Sequence, residues 1–91
     1  MILGNPIYPG VDIKADALIP GNFSGSPKKA VVSFIAPFDS VNYTVGFSVF
    51  TDGIKTFSPS FENQTVNGFD VNLNTNNVSG LITVGWIATA I

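Results

Sequence analysis

Cysteine, histidine and arginine are absent from this sequence of 91 residues. The absence of Cys excludes disulfide bonds, thiolate nucleophiles and zinc sites built on sulfur. The absence of His removes the commonest general base and metal ligand, and neither a Ser-His-Asp nor a Cys-His catalytic arrangement exists without these residues. We therefore expect a protein that is not an enzyme and that holds no cofactor and no metal ion.

Charged residues are also scarce, at 11% of the chain, and six acids against four lysines give a net charge of −2. A nucleic-acid-binding surface needs the opposite balance, so no nucleic-acid partner is expected. The acids in the strand-rich part of the chain are Asp39, Asp52, Glu62 and Asp70. Their spacing pairs none of them in the way that glycoside hydrolysis needs. The charge pattern therefore favours a binding or structural module.

No run of apolar residues reaches the ~18 that a membrane span needs, so we expect no membrane insertion. The chain is nevertheless 45% hydrophobic, with a mean hydropathy of +0.36. A domain this small buries only roughly 60–65% of the surface that its unfolded chain exposes, and here neither a disulfide nor a metal adds stability. Burial of apolar surface between identical subunits is the simplest remedy. The sequence therefore predicts a homo-oligomer.

Proline and glycine punctuate the first 29 residues. Because proline fixes φ and removes a hydrogen-bond donor, neither a long helix nor a central strand fits there. We interpret residues 1–29 as an extended arm or linker, with one short strand or turn of helix at 11–18. Residues 30–91 then form the folded domain.

From Ala30 onward, apolar residues recur at every second position, which is the period of a β-strand. Every odd position of Val41–Val49 is apolar, which predicts a half-buried strand. Further strands are predicted over residues 30–36, 54–58, 69–73 and 81–90. In the last of these, Ile82, Val84 and Trp86 share the core-facing phase. Short turns and the absence of a helical period indicate an antiparallel β-sandwich.

Three phenylalanines, Phe23, Phe57 and Phe61, fall outside these strand patterns or flank a break in them. An exposed apolar patch and burial by another subunit explain them equally well.

Several runs of the chain resemble, in the correct order, the H-type lectin-like domains. Ser26–Phe38 followed by Tyr43–Val45 resembles the opening of these domains, Thr65–Val71 their Gly-Phe strand, and Val84–Ala88 their closing Trp-x-Ala strand. Together the runs cover residues 26–90. The similarity is closest to the version found at the C-terminal ends of bacteriophage tail fibres and receptor-binding proteins.

This resemblance implies an all-β fold, an antiparallel sandwich of about six strands, assembled as a homotrimer or as a dimer of trimers. It implies a phage adhesin that acts from the virion, outside the cell, on bacterial surface carbohydrate such as lipopolysaccharide, capsule or wall polymer. The animal lectins of the family bind their sugar with an acid, an Arg and a Trp/His pair. The corresponding positions here hold Phe23, a residue near Thr56, and Asn76 with Asn77, so the sugar specificity of the family does not transfer.

The candidate carbohydrate-binding residues are therefore amides and hydroxyls of loops, with one ring as a stacking face: Asn22, Phe23, Thr56, Asn76 and Asn77. Ordinary polar turns are the simpler interpretation of the same residues. The alternative function is a structural virion module that binds no glycan, either a fibre trimerisation cap or a capsid decoration protein. In that case residues 1–29 would dock on other virion proteins.

Overall fold

A computed structural model describes residues 12–53 and 55–91, which form six strands and one short 3-10 turn. The elements are β1 (Ile13–Leu18), the 3-10 turn (Pro20–Asn22), β2 (Lys29–Ser33), β3 (Tyr43–Thr51), β4 (Ser60–Thr65), β5 (Gly68–Asn72) and β6 (Leu81–Ala90). They make two three-stranded antiparallel sheets, ordered β1-β6-β3 and β2-β5-β4. The expected all-β antiparallel architecture is confirmed. No helix within the described ranges is long and apolar enough to cross a membrane.

The core lies between the two sheets and is rich in aromatic rings. Its buried members are Phe23, Ala30, Val32, Phe38, Tyr43, Phe69, Val71, Leu73, Leu81, Val84, Trp86 and Ala88. Phe69 of one sheet meets Trp86 of the other with ring centroids 5.4 Å apart and planes at 89°, the edge-to-face arrangement that aromatic pairs prefer. Trp86 is therefore a core residue, as its phase in β6 predicts.

Tyr43 links the two sheets by hydrogen bonds, and Gly68 permits the close approach of two strands within the second sheet. The hydroxyl of Tyr43, in the first sheet, lies 2.7 Å from the carbonyl oxygen of Thr65 and 3.0 Å from that of Gly68, both in the second sheet. A Cβ at Gly68, where φ is +152°, would collide with the carbonyl oxygen of Val32. Glycine is therefore required where β5 approaches β2.

The N-terminal arm predicted for residues 1–29 is described only in part, and the short strand expected at 11–18 is present there as β1. Residues 1–11 lie outside the described residues. Ile13–Leu18, however, pairs along its whole length with β6, and Ser24 forms a β-bridge with Lys29. Residues 13–29 thus contribute to the sandwich, because β1 covers one edge of the uncharged strand β6.

The strand predicted at 54–58 is wrong. Residues 55–59 form no strand, and β4 begins at Ser60, after Pro59. The pattern of β4 is obscured because its register with β5 shifts between Glu62 and Thr65, where Asn63 has a φ of +54°. Such a bulge breaks the alternation from which a strand is predicted.

The predicted phase of β6 is wrong at its start. Ile82 is 41% exposed, whereas Leu81 is only 6% exposed. The reason is a register shift, since Phe50 pairs with Thr83 but Thr51 pairs with Leu81. The extra residue at Ile82 forms a bulge that turns Leu81 into the core.

Candidate functional site

Three loops meet at one end of the sandwich, which we call the loop end. Their described residues are 19–28, 52–53 with 55–59, and 73–80, and the antiparallel order of the strands brings them together. The amide N of Lys28 donates to the carbonyl oxygen of Thr75 at 2.8 Å, and that of Asp52 donates to Gly80 at 2.9 Å. The loop end is therefore a hydrogen-bonded surface built from both sheets.

A cavity of about 300 Å³ opens at this end between the second and third loops. The loop-end cavity is lined by Lys55, Thr56, Phe57, Ser58, Leu73, Asn74, Thr75 and Asn77. Leu73 is buried and Phe57 is half-buried, so both add apolar surface to a wall that is otherwise made of amides and hydroxyls.

Asn74 joins the two loops that form the cavity. Its φ of +58° is left-handed, a conformation that Asn tolerates better than most residues. Its Nδ2 donates to the carbonyl oxygen of Ser58 at 2.8 Å and lies 3.2 Å from Oγ of Ser60. The side chain of Asn72 accepts from the amide N of Asn74 at 2.8 Å. The cavity is therefore shaped before any ligand binds.

Thr56 and Asn77, two of the residues predicted from the sequence, line this cavity together. Oδ1 of Asn77 accepts from the amide N of Ser79 at 2.8 Å, which fixes the amide plane. No hydrogen bond within residues 12–53 and 55–91 involves Nδ2 of Asn77 or the hydroxyl of Thr56. Both groups are thus able to meet a ligand.

The other three predicted residues do not line the cavity. Asn76 is exposed in the same loop as Asn77. Asn22 belongs to the 3-10 turn, where its Oδ1 accepts from the amide N of Ile19 at 2.8 Å. Phe23 is 6% exposed and belongs to the core, so its ring does not offer a stacking face to a sugar. The ring that does reach the cavity is that of Phe57.

Sequence reasoning missed Lys55, Ser58 and Asn74 as members of the site. The dense run of amides at 74–77 was a usable signal for Asn74. Lys55 and Ser58 carried none, because a strand predicted at 54–58 places them in a sheet instead of in a loop.

The chemistry of the cavity is that of hydrogen bonding. None of its lining residues is acidic, and its polar groups are amides, hydroxyls and one ammonium. Such groups donate to and accept from the hydroxyls of a polyol. Within the two described ranges, no group of three or more potential metal-ligating side chains occurs.

A second cavity of about 370 Å³, the edge cavity, lies between β1 and the segment that follows β2. Lys14 on its wall is already paired, with its Nζ 3.2 Å from Oδ2 of Asp12 and 4.7 Å from the ring centroid of Phe38. Its remaining walls include Asp16 and Ser33 but are mainly apolar, and Ile35 among them is fully exposed. Polar groups therefore make up a larger part of the loop-end cavity than of the edge cavity.

No protein-family model, curated protein or solved structure matches this chain.

Proposed function

We propose that this chain is the receptor-binding module of a bacteriophage tail fibre or spike, and that it attaches to bacterial surface carbohydrate as a homotrimer or a dimer of trimers. It would act outside the cell, at the host surface. The runs that resemble H-type lectin-like domains support this proposal, as do the six strands in two antiparallel sheets. The observation that carries it is the meeting of Thr56 and Asn77 in one preformed cavity.

Each group in the cavity has a part in the proposed complex. The Thr56 hydroxyl and Nδ2 of Asn77 would bond hydroxyls of the sugar. Phe57 would cover an apolar face of the ring, as aromatic side chains in ligand pockets do. Lys55 would pair with a carboxylate or phosphate substituent of the polymer.

Binding strength would come from repetition, because one shallow cavity of this size offers few contacts. Linked sites gain avidity without any new contact, provided that the geometry lets them engage together. A trimer presents three loop-end cavities to a surface polymer that is itself repetitive. Attachment would thus be firm although each site is weak.

Two single substitutions test the cavity on a microarray of bacterial polysaccharides. Thr56→Val removes a hydroxyl at nearly constant shape, and Asn77→Asp removes Nδ2 while keeping the oxygen that accepts from Ser79. Each change removes about one hydrogen bond, worth ~1 kcal/mol, so we expect about fivefold weaker binding per site. The matched control is Asn67→Asp, the same change in the exposed turn at the opposite end. Unchanged binding by both cavity variants would place the glycan elsewhere.

A second candidate function is the structural virion module, with residues 1–29 docking on other virion proteins. The exposure of Ile13, Ile19 and Phe50, at 57%, 56% and 62%, favours it because these side chains need a protein partner more than a sugar. Co-purification with capsids, together with a folded protein that binds no glycan on the array, would support this candidate over the adhesin.

A further inference from the structure

The outer face of the β1-β6-β3 sheet carries no charge. The strand registers align Ala15, Ile87 and Gly46 in one row, and Ala17, Gly85 and Ser48 in the next. The outward residues are the odd-numbered ones of β1 and, after the bulge, of β6, together with the even-numbered ones of β3. None of them is acidic or basic. We call this surface the uncharged face.

Large apolar side chains project from the uncharged face. Ile13, Phe50 and Ile87 are 57%, 62% and 46% exposed. Phe50 lies two rows from Ile87, and hydroxyl residues such as Ser48 and Thr83 share the face. Large exposed apolar side chains on a surface without charge favour an interaction site. The face therefore calls for a partner.

The outer face of the other sheet has the opposite character. Lys29 bonds to Glu62 with Nζ and Oε1 2.6 Å apart, and this bond and one from Asn72 lower the pKa of the Glu62 carboxyl. Asp70 accepts from Nδ2 of Asn63 at 2.8 Å. The apolar residue Val31 projects singly among these groups and is 72% exposed. Of the two outer faces, only that of the β1-β6-β3 sheet lacks charged residues among its outward positions.

Two glycines in the uncharged face are not needed by the subunit itself. Gly46 and Gly85 lie inside β3 and β6, where glycine weakens a strand. A Cβ at Gly46 would lie 3.5 Å from Cγ2 of Ile87, and one at Gly85 would lie 3.5 Å from the carbonyl oxygen of Ser48. Both are ordinary contacts, and neither glycine has a left-handed φ. Together they open a hollow of about 270 Å³ beside Ile87, and the exposed residue Asp16 of the edge strand β1 also lines it.

Glycine inside a strand often marks the close approach of another backbone or ligand. We propose that the uncharged face is covered by the same face of a second copy of this chain, with an apolar side chain such as Phe50 or Ile87 of one copy over the Gly46–Gly85 hollow of the other.

A second copy fits better than another partner because the projecting side chains Phe50 and Ile87 lie on the same surface as the Gly46–Gly85 hollow. Apart from Asp16 at its edge, the surface presents no charged side chain, and a surface of the same kind matches it best because an unpaired buried charge weakens an interface. The chain supplies such a surface in its own uncharged face. A three-stranded face about 14 Å wide and about 25 Å long offers on the order of 350 Å² per copy, or roughly 700 Å² in total, which is below the size of most stable specific interfaces. Association should therefore depend on concentration.

Sedimentation velocity over a range of micromolar concentrations tests this contact in the wild type and three variants. Gly85→Thr fills the hollow with a residue that strands favour, and Ile87→Lys places a charge at the centre of the face. The control, Val31→Lys, places the same charge on the other sheet. We expect the wild type and Val31→Lys to associate, and the two face variants to associate about tenfold or more weakly.

Thermal unfolding by circular dichroism shows whether each variant is folded. A monomeric wild type at every concentration, or folded Gly85→Thr and Ile87→Lys proteins that associate as the wild type does, would overturn the proposal. So would loss of association in Val31→Lys alone. Association through this face does not require carbohydrate binding at the loop end. A glycan array without binding would therefore contradict the proposed function but not the proposed contact between copies.

Discussion

At the scale of single residues, Tyr43 has the most demanding position in the core. Its ring is 4% exposed, and its hydroxyl bonds to the turn between β4 and β5. Burial raises the pKa of this phenol above its ordinary value near 10, and the hydrogen bond to Thr65 opposes that rise only in part. The neutral phenol is thus the form that the folded protein favours.

Replacement of Tyr43 should therefore change both the stability and its dependence on pH. Tyr43→Phe removes the hydroxyl from the carbonyl oxygens of Thr65 and Gly68, although Gly68 keeps a 3.2 Å bond from Oγ1 of Thr65, and we expect the free energy of unfolding in urea to fall by about 1 kcal/mol. Because the folded pKa lies above the unfolded one, this stabilisation is complete below about pH 10 and is lost as the pH rises through the folded pKa. Tyr43→Phe should lack that alkaline loss. An identical alkaline decline in both proteins would show that Tyr43 is not its source.

The burial of Phe23 in the core was not predictable from the sequence. It lies between glycines and serines in a loop, with no strand period to indicate its direction. It is buried because the 3-10 turn directs the chain back over the end of the core. Burial of a loop residue depends on tertiary packing, and no local pattern predicts it.

At the scale of elements, the loop-end cavity depends on the attachment of loop 55–59 to loop 73–77. Asn74 makes that attachment with a left-handed backbone and side-chain bonds to Ser58 and Ser60. These two contributions are separable by substitution, because glycine adopts the same φ without strain.

Asn74→Gly keeps the backbone conformation and loses the side-chain bonds, whereas Asn74→Ala loses the bonds and strains the backbone. A left-handed φ costs an ordinary residue roughly 1–2 kcal/mol, and glycine gives back part of this in the unfolded chain. We expect Asn74→Ala to be the less stable of the two by about 1 kcal/mol in urea unfolding. We also expect both variants to bind polysaccharide more weakly than the wild type. Equal stability of the two would contradict the assigned strain.

Strands with an unbroken period of two were predictable, and strands with a bulge were not. β3, β5 and most of β6 follow the alternation because each has one buried and one exposed face. Each bulge shifts the alternation by one residue, and this conceals β4 and misplaces Ile82. A bulge is defined by the pairing of a strand with its partner, so the sequence of one strand alone does not predict it.

The candidate site was likewise predictable from the sequence only in part. The amides at 76–77 and the residue Thr56 were indicated by sequence, but their relation in space was not. Thr56 reaches the cavity only because residues 55–59 are a loop that Asn74 holds against its neighbour.

At the scale of the whole molecule, the two proposed surfaces do not compete. The loop end lies at the ends of the strands, and the uncharged face lies along their flank. Copies that pack through the flank leave their loop ends open. A contact between identical faces is two-fold, so it would join two subunits or two trimers, and their loop-end cavities together would supply the repeated sites that avidity requires.

Carbohydrate binding at the loop end is best tested by titrating the isotope-labelled protein with soluble fragments of host surface polysaccharide and following the titration by NMR. We expect the amide and side-chain signals that shift to belong to residues 55–58 and 73–77, with Nδ2 of Asn77 among them. Shifts confined to the edge cavity around residues 33–36 would contradict carbohydrate binding at the loop end. So would the absence of shifts with fragments of a polysaccharide that the protein binds on the array.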